Sequence, residues 1–129
     1  MNDELNRKLL KKHPKILSFD EFVSESAQRD IECCDGWFLL LDKLCSEIQD
    51  HVDQYIIPQV RLTQIKEKFG ELRIYYSGGD EHIRELIDTA KSVSKLTCES
   101  CGGLGHRERT RHGWIKTLCF TCLADVNRD

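Results

Sequence analysis

The stretch TCESCGGLGHRERTRHGWIKTLCFTC, residues 97–122, decides how the C-terminal part of this chain folds. It holds two CxxC pairs, Cys98 with Cys101 and Cys119 with Cys122, with residues 102–118 between them. Two thiolates separated by two residues can grip one metal ion from a single tight turn, and a second pair completes a tetrahedron. Zn²⁺ favours four sulfurs in that arrangement, and the spacing falls in the range of paired zinc knuckles. A site closed by four protein sulfurs keeps no open coordination position, so the single Zn²⁺ it predicts is structural rather than catalytic. Its binding energy becomes folding energy for a segment too short to build its own core. A lone CxxC is equally a redox motif; two at this spacing point to metal.

Between the pairs, residues 104–118 read as a β-hairpin turning at His112-Gly113, and Cys119 opens a short helix, CFTCLADVNR. Knuckle, hairpin and a cysteine pair at a helix start describe a treble-clef-like finger. Four sulfurs suffice for the ion, so His106 and His112 need not be ligands. Arg107, Arg109 and Arg111 alternate and so share one face of a strand. With Lys116 they meet only Glu108 as an opposite charge in this segment. Arg107, Arg109, Arg111, Trp114 and Lys116 are therefore the candidate partner surface, because arginine and tryptophan are favoured interface anchors. The plainer reading of the same face is a solvated hairpin.

Upstream lies a body of residues 1–96. Residues 2–12 predict a short helix using Leu5, Leu9 and Leu10, stopped by Pro14. Ser18 and Glu21 have the spacing of a capping box, predicting a helix over residues 19–28 with Phe19, Phe22, Val23 and Ala27 apolar. The strongest helix covers residues 36–55. Trp37, Leu40, Leu41, Leu44, Cys45, Ile48, Val52 and Tyr55 form its continuous apolar face, and His51 falls on the solvent side. Residues 59–77 read as a β-hairpin turning near residues 68–70, with Leu72, Ile74 and Tyr76 alternating against Glu71, Arg73 and Tyr75. Its polar face carries Arg61, Lys66, Lys68 and Arg73. Asp80 caps a last helix over residues 80–96, whose stripe is Ile83, Leu86, Ile87, Ala90 and Val93. The expected fold is α+β: helices packed on a small antiparallel hairpin, followed by the finger of residues 97–129.

The 129 residues suit one domain, or one domain with a zinc appendage. No apolar run approaches the roughly 18 residues of a membrane span. The opening MNDELNRKLLKKHPK carries no signal-peptide pattern. Together with the metal spacing this predicts a reducing cytoplasm, with Cys33, Cys34 and Cys45 as free thiols and Cys45 in the core. Residues 1–96 carry 14 basic and 18 acidic side chains and residues 97–129 carry 5 and 4, so a slightly basic finger sits on an acidic body within a net charge of −3. That balance argues against a wholesale nucleic-acid binder, although Trp114 and the arginines could meet a base and phosphates. An acidic body could instead mimic nucleic acid toward a basic partner. No P-loop, GxGxxG, GxSxG or HExxH occurs. An HNH nuclease also sits on a treble clef, but its catalytic histidines and metal ligand need a longer insert between the cysteine pairs; here only His106 and His112 are available, with no nearby carboxylate constellation. The chain reads as a non-enzyme.

Two family resemblances attach to these residues. The CESCG knuckle followed by a CxxC entering a helix resembles the four-cysteine zinc finger of the DksA/TraR family of RNA-polymerase-binding regulators, over about residues 85–125. That family acts through the acidic tip of a coiled-coil hairpin, which this sequence lacks, so no tip residue carries over. The combination of GWFLLLDKLC, QIKEKFGELRIYY, TCESCGGLG and GWIKTLC resembles small zinc-knuckle proteins of phages and prophages, over roughly residues 36–124. This second resemblance implies an α+β domain with a C-terminal zinc knuckle in the cytoplasm of a bacterial host. It supplies no activity, only the setting of a small accessory protein; phage accessory proteins of this size often act by binding a host protein, in some cases a defence-system component. The apolar face of residues 37–55 could bury against the hairpin in one chain or partly against a second copy, which leaves monomer and homodimer open.

Overall fold

The computed structural model describes residues 1–17 and 31–128. The helix expected over residues 19–28, with its capping box, lies outside the described residues. Among them the fold is α+β, with four α-helices and two separate antiparallel hairpins. Helix α1 is Asp3–Lys12, capped by Asn2, whose Oδ1 accepts from Leu5 N at 2.8 Å. A 3₁₀ turn, Asp35–Trp37, leads into α2, Phe38–Tyr55. Strands β1, Arg61–Lys68, and β2, Glu71–Ser77, form the first hairpin. Helix α3, Glu81–Ser94, precedes a second hairpin of β3, His106–Arg109, and β4, Ile115–Leu118, and the short α4, Phe120–Val126.

Helix α2 is the spine. Its buried Leu41, Leu44, Cys45, Ile48 and Val52 follow the expected stripe, with Trp37 fully buried at its start. It packs against α1 and α3, and α3 covers β2. Each such side chain taken fully out of water contributes roughly 1.5–3 kcal/mol. The stripe emerges at its end, where Tyr55 is exposed. At the other end, Leu39 stands in solvent beside an open groove of ≈510 Å³ shared with Phe38, Leu40, Leu86 and Val93. His51 departs from the solvent-face expectation: Nε2 lies 2.8 Å from Asp80 Oδ2, and the ring lies tilted against those of His82 and Tyr55, with centroids 4.3 and 4.7 Å away. Asp80 caps α3 as expected, accepting from Ile83 N.

The first hairpin turns at Phe69-Gly70, with Lys68 opposite Glu71. A register shift between Leu62 and Gln64 puts Leu62 and Ile65 both in the core, although three positions separate them. A strict two-residue alternation would have turned one of them outward. Ser94, at the end of α3, is buried because its Oγ accepts from Leu72 N at 3.0 Å and donates to Lys91 O at 2.6 Å, binding helix to sheet.

Candidate metal centre

The chain leaves α3 and enters the first knuckle at once. Cys98 is fully buried. Its N–H donates to Gly103 O at 2.7 Å, and its carbonyl accepts from Gly102 N at 3.0 Å, which closes the turn that brings Cys101 round. The second pair arrives differently. Cys119 is the N-cap of α4, its Sγ accepting from Cys122 N at 3.4 Å, so the first helical turn places Cys122 beside it. The ligand atoms of Cys98, Cys101, Cys119 and Cys122 all lie within 4.8 Å of one another. The Sγ atoms of Cys101 and Cys119 stand 3.8 Å apart. A tetrahedral ion with metal–sulfur bonds of about 2.3 Å would space its sulfurs at roughly 3.8 Å, so the donor set fits a metal ion of the zinc type.

The four thiols do not ionise alike. Burial works against the Cys98 thiolate, but the N–H groups of Cys101, Cys119 and Ser100 draw its pKa down to about 6. Cys122 and Cys101 are pushed up instead: Cys119 foremost raises Cys122, while Cys98 and Cys119 outweigh the Gly103 N–H at Cys101. Four sulfurs this close cannot all ionise unless a positive ion offsets them. Cys33 and Cys34 differ: burial pushes Cys33 up to about 12 and raises Cys34 as well, which disfavours a reactive thiolate at either. Cys45 is buried in the core as expected.

The finger is clasped to the body rather than appended. At one contact, Trp37 Nε1 donates to Thr97 O at 2.9 Å and Gly36 N donates to Glu99 O at 2.8 Å. Gly36 sits so close to the knuckle that a Cβ there would lie 2.1 Å from Cys98 O, which is why no side chain is tolerated. At the other contact, the β3–β4 hairpin meets the β1–β2 turn. Thr117 Oγ1 donates to Gly70 O at 2.6 Å, and Arg107 donates from Nε and Nη2 to Phe69 O at 3.1 and 2.7 Å. Lys116 Nζ reaches Glu67 Oε1 at 2.7 Å. Glu99, 1% exposed, accepts from Thr117 N at 2.6 Å and lies 3.8 Å from Lys116. Burial pushes the Glu99 carboxyl up to about 7. Burial also opposes the charge on Lys116, yet Glu67 and Glu99 raise its pKa above the ordinary value.

The five surface residues expected from the sequence are dispersed. Strand β3 ends at Arg109, so Arg111 does not share its face; it sits in the turn, donating from its backbone N to Asn127 Oδ1 at 2.7 Å. Arg107 and Arg109 lie opposite Thr117 and Ile115, whereas Lys116 lies opposite Glu108, one step out of phase. Arg109 Nη1 donates to Gly113 O at 3.1 Å, and Trp114 is 66% exposed. Arg109, Trp114 and Lys116 line an open groove of ≈540 Å³ together with Glu67, Lys68 and Phe69. Sequence reasoning missed Gly36, Glu67, Phe69, Glu99 and Thr117. The only local signal was Glu99 inside the CxxC, and nothing in its spacing names Thr117 as its partner.

No protein-family model, no curated protein and no solved structure matches the chain. No helix among the described residues is long and apolar enough to cross a membrane.

Proposed function

We propose that this chain is a non-enzymatic, zinc-stabilised accessory protein of the phage or prophage type. It works in the cytoplasm of a bacterial host by binding a host protein, a defence-system component among the candidates, and so regulating or inhibiting it. One Zn²⁺, held by Cys98, Cys101, Cys119 and Cys122, organises a treble-clef-like finger, and the finger hairpin makes the contact. The observation that carries this reading is the clasp. Thr117 Oγ1 donates to Gly70 O in a buried hydrogen bond and Lys116 Nζ donates to Glu67 Oε1, which fixes the hairpin on the body, while the buried Glu99 carboxylate accepts from Thr117 N inside the finger; Trp114 and Arg109 are thereby displayed on a rigid support rather than on a loose loop. Preorganisation of exposed aromatic and arginine side chains is what a binding surface needs.

The test is affinity capture of partners from bacterial lysate by the zinc-loaded chain, with and without nuclease, against an Arg109→Ala/Trp114→Ala variant. A protein captured under both conditions and lost in the variant supports the reading, and RNA polymerase among the captured proteins would bear on the finger resemblance. Capture that disappears with nuclease transfers the surface to nucleic acid. Metal analysis of protein purified without added zinc should find one zinc per chain; a folded, metal-free protein overturns the metal assignment.

A further inference from the structure

The two hairpins each send an aromatic side chain into solvent at one place. Phe69, in the β1–β2 turn, is 53% exposed and Trp114, just before β4, is 66% exposed, and both line the ≈540 Å³ groove. Isolated exposed aromatics are ordinary. The backbone of Phe69 is not. Both central residues of the turn have positive φ, 54° at Phe69 and 79° at Gly70. That is the requirement of a type I′ hairpin, which Asn-Gly satisfies and phenylalanine resists. Its side chain stays about half exposed, with Lys68 Nζ 5.6 Å from the ring centroid, so core burial does not explain the choice of residue. The conformation is nonetheless held from several sides: Arg107 donates twice to Phe69 O, Thr117 Oγ1 donates to Gly70 O, and Gly70 N donates to Glu67 Oε2. Strain that surrounding structure maintains at an exposed residue points to function. Among the described residues the other non-glycine with positive φ, Ile56, closes the end of α2 as its cap and lines neither groove.

Charge completes the site. Glu67, the one carboxylate lining the groove, is bound by Lys116, so Lys68 and Arg109 bring positive charge to it unopposed by a carboxylate of the groove itself. We propose that this groove binds an acidic segment of a partner protein, with an apolar side chain of that segment seated against Phe69 and Trp114 and its carboxylates on Lys68 and Arg109. The proposal rests on the protein-binding reading above and names the chemistry of the partner. The charge balance selects a peptide over a nucleic acid. A nucleic-acid strand carries a phosphate at every nucleotide and needs a long positive track, whereas here a patch one groove wide sits on a chain of net charge −3.

The experiment titrates the zinc-loaded full chain with a short fluorescent peptide in which aspartates flank a phenylalanine. Its lysine-for-aspartate counterpart and a thymidine oligonucleotide are titrated in parallel. Trp37 is fully buried, so a change in tryptophan emission reports Trp114. The expected result is saturable binding of the acidic peptide alone, weakened about tenfold or more in Phe69→Asn and in Trp114→Ala. Phe69→Asn retains a residue suited to the left-handed turn and should melt no lower than the parent, which separates lost binding from lost fold. No binding of the acidic peptide, or binding unchanged in Phe69→Asn, overturns the proposal. Tighter binding of the oligonucleotide, lost in the same variants, overturns it in favour of nucleic acid. Lysate capture that survives Phe69→Asn but fails in Arg109→Ala/Trp114→Ala sinks the acidic-segment groove and spares the protein-binding reading; capture indifferent to both sinks both.

Discussion

The body and the finger are held by different physics. The body closes around α2, with Leu9, Trp37, Leu41, Cys45, Ile48, Leu62, Leu72 and Ile83 all essentially out of water. The finger has almost nothing of the kind: α4 buries no residue, β3 buries none, and β4 buries only Thr117 and Leu118. A segment with so little apolar burial cannot offset the entropy of ordering its chain, which costs roughly 1–2 kcal/mol per residue for the backbone alone. What it has instead is four converging sulfurs and a polar clasp. Hydrophobic burial dominates the body; the finger has in its place a sulfur cluster that could hold a metal ion and the polar contacts with the body it touches.

Metal removal is the severest trial of that contrast. Structural zinc in small fingers contributes about 10–16 kcal/mol of apparent binding energy, and chelation withdraws it from the finger alone. Amide-exchange protection should vanish over residues 98–128 and persist in α2 and α3; Cys122→Ser should do the same without chelator. Protection lost uniformly along the chain, or lost nowhere, would erase the distinction between the two regions.

Gly36→Ala comes next and probes the seam itself. A methyl group 2.1 Å from Cys98 O forces the 3₁₀ turn and the knuckle apart and breaks the Gly36 N–Glu99 O bond. The expected cost is about 3 kcal/mol in urea denaturation, accompanied by faster loss of metal to a chelator. A destabilised body with unchanged metal retention would show that the finger holds its ion without help.

The same contrast governs what was legible beforehand. Local patterns were readable: the cysteine spacing, the stripe of α2 as far as Val52, that of α3 apart from the exposed Val93, the Asp80 cap, and the turns near Phe69-Gly70 and His112-Gly113. The clasp was not, because it joins residues far apart in sequence. Thr117 to Gly70 and Lys116 to Glu67 are long-range polar pairs whose members look like ordinary surface residues. Arg111 was misplaced because alternation says which residues share a face only while the strand lasts, and β3 stops at Arg109. Leu62 and Ile65 share the core only because the register shifts between them. His51 was assigned to solvent because helical periodicity carries no information about Asp80, which approaches from the start of another helix.

Asp42→Asn is a smaller, purely body-side change. The His13 hydrogen bond foremost, with Lys12, holds the Asp42 carboxyl below its ordinary value. Such a group stabilises the fold above its unfolded pKa, and that contribution is lost as pH falls through the lower, folded value. The substitution should cost about 1–2 kcal/mol near neutral pH and flatten the acid limb of the stability profile. Acid also displaces metal by protonating thiolates, so the comparison belongs on the amides of α1, away from the finger. Metal content at neutral pH should not change; if it does, the body and finger are coupled through more than their seam.

Phe69→Asn is the smallest effect, and its sign matters more than its size. The clasp grips the backbone carbonyls of Phe69 and Gly70, so it survives the substitution. The left-handed conformation becomes easier, since asparagine tolerates it better than phenylalanine. The stability change should therefore lie between zero and a gain of about 1 kcal/mol, read as an unchanged or higher melting temperature. A clear loss would mean that the exposed ring is holding the turn by packing, and Phe69 would join the body's core residues. A gain would mean that this turn carries a side chain the fold is better without, as expected where a surface has been shaped for binding at the expense of stability.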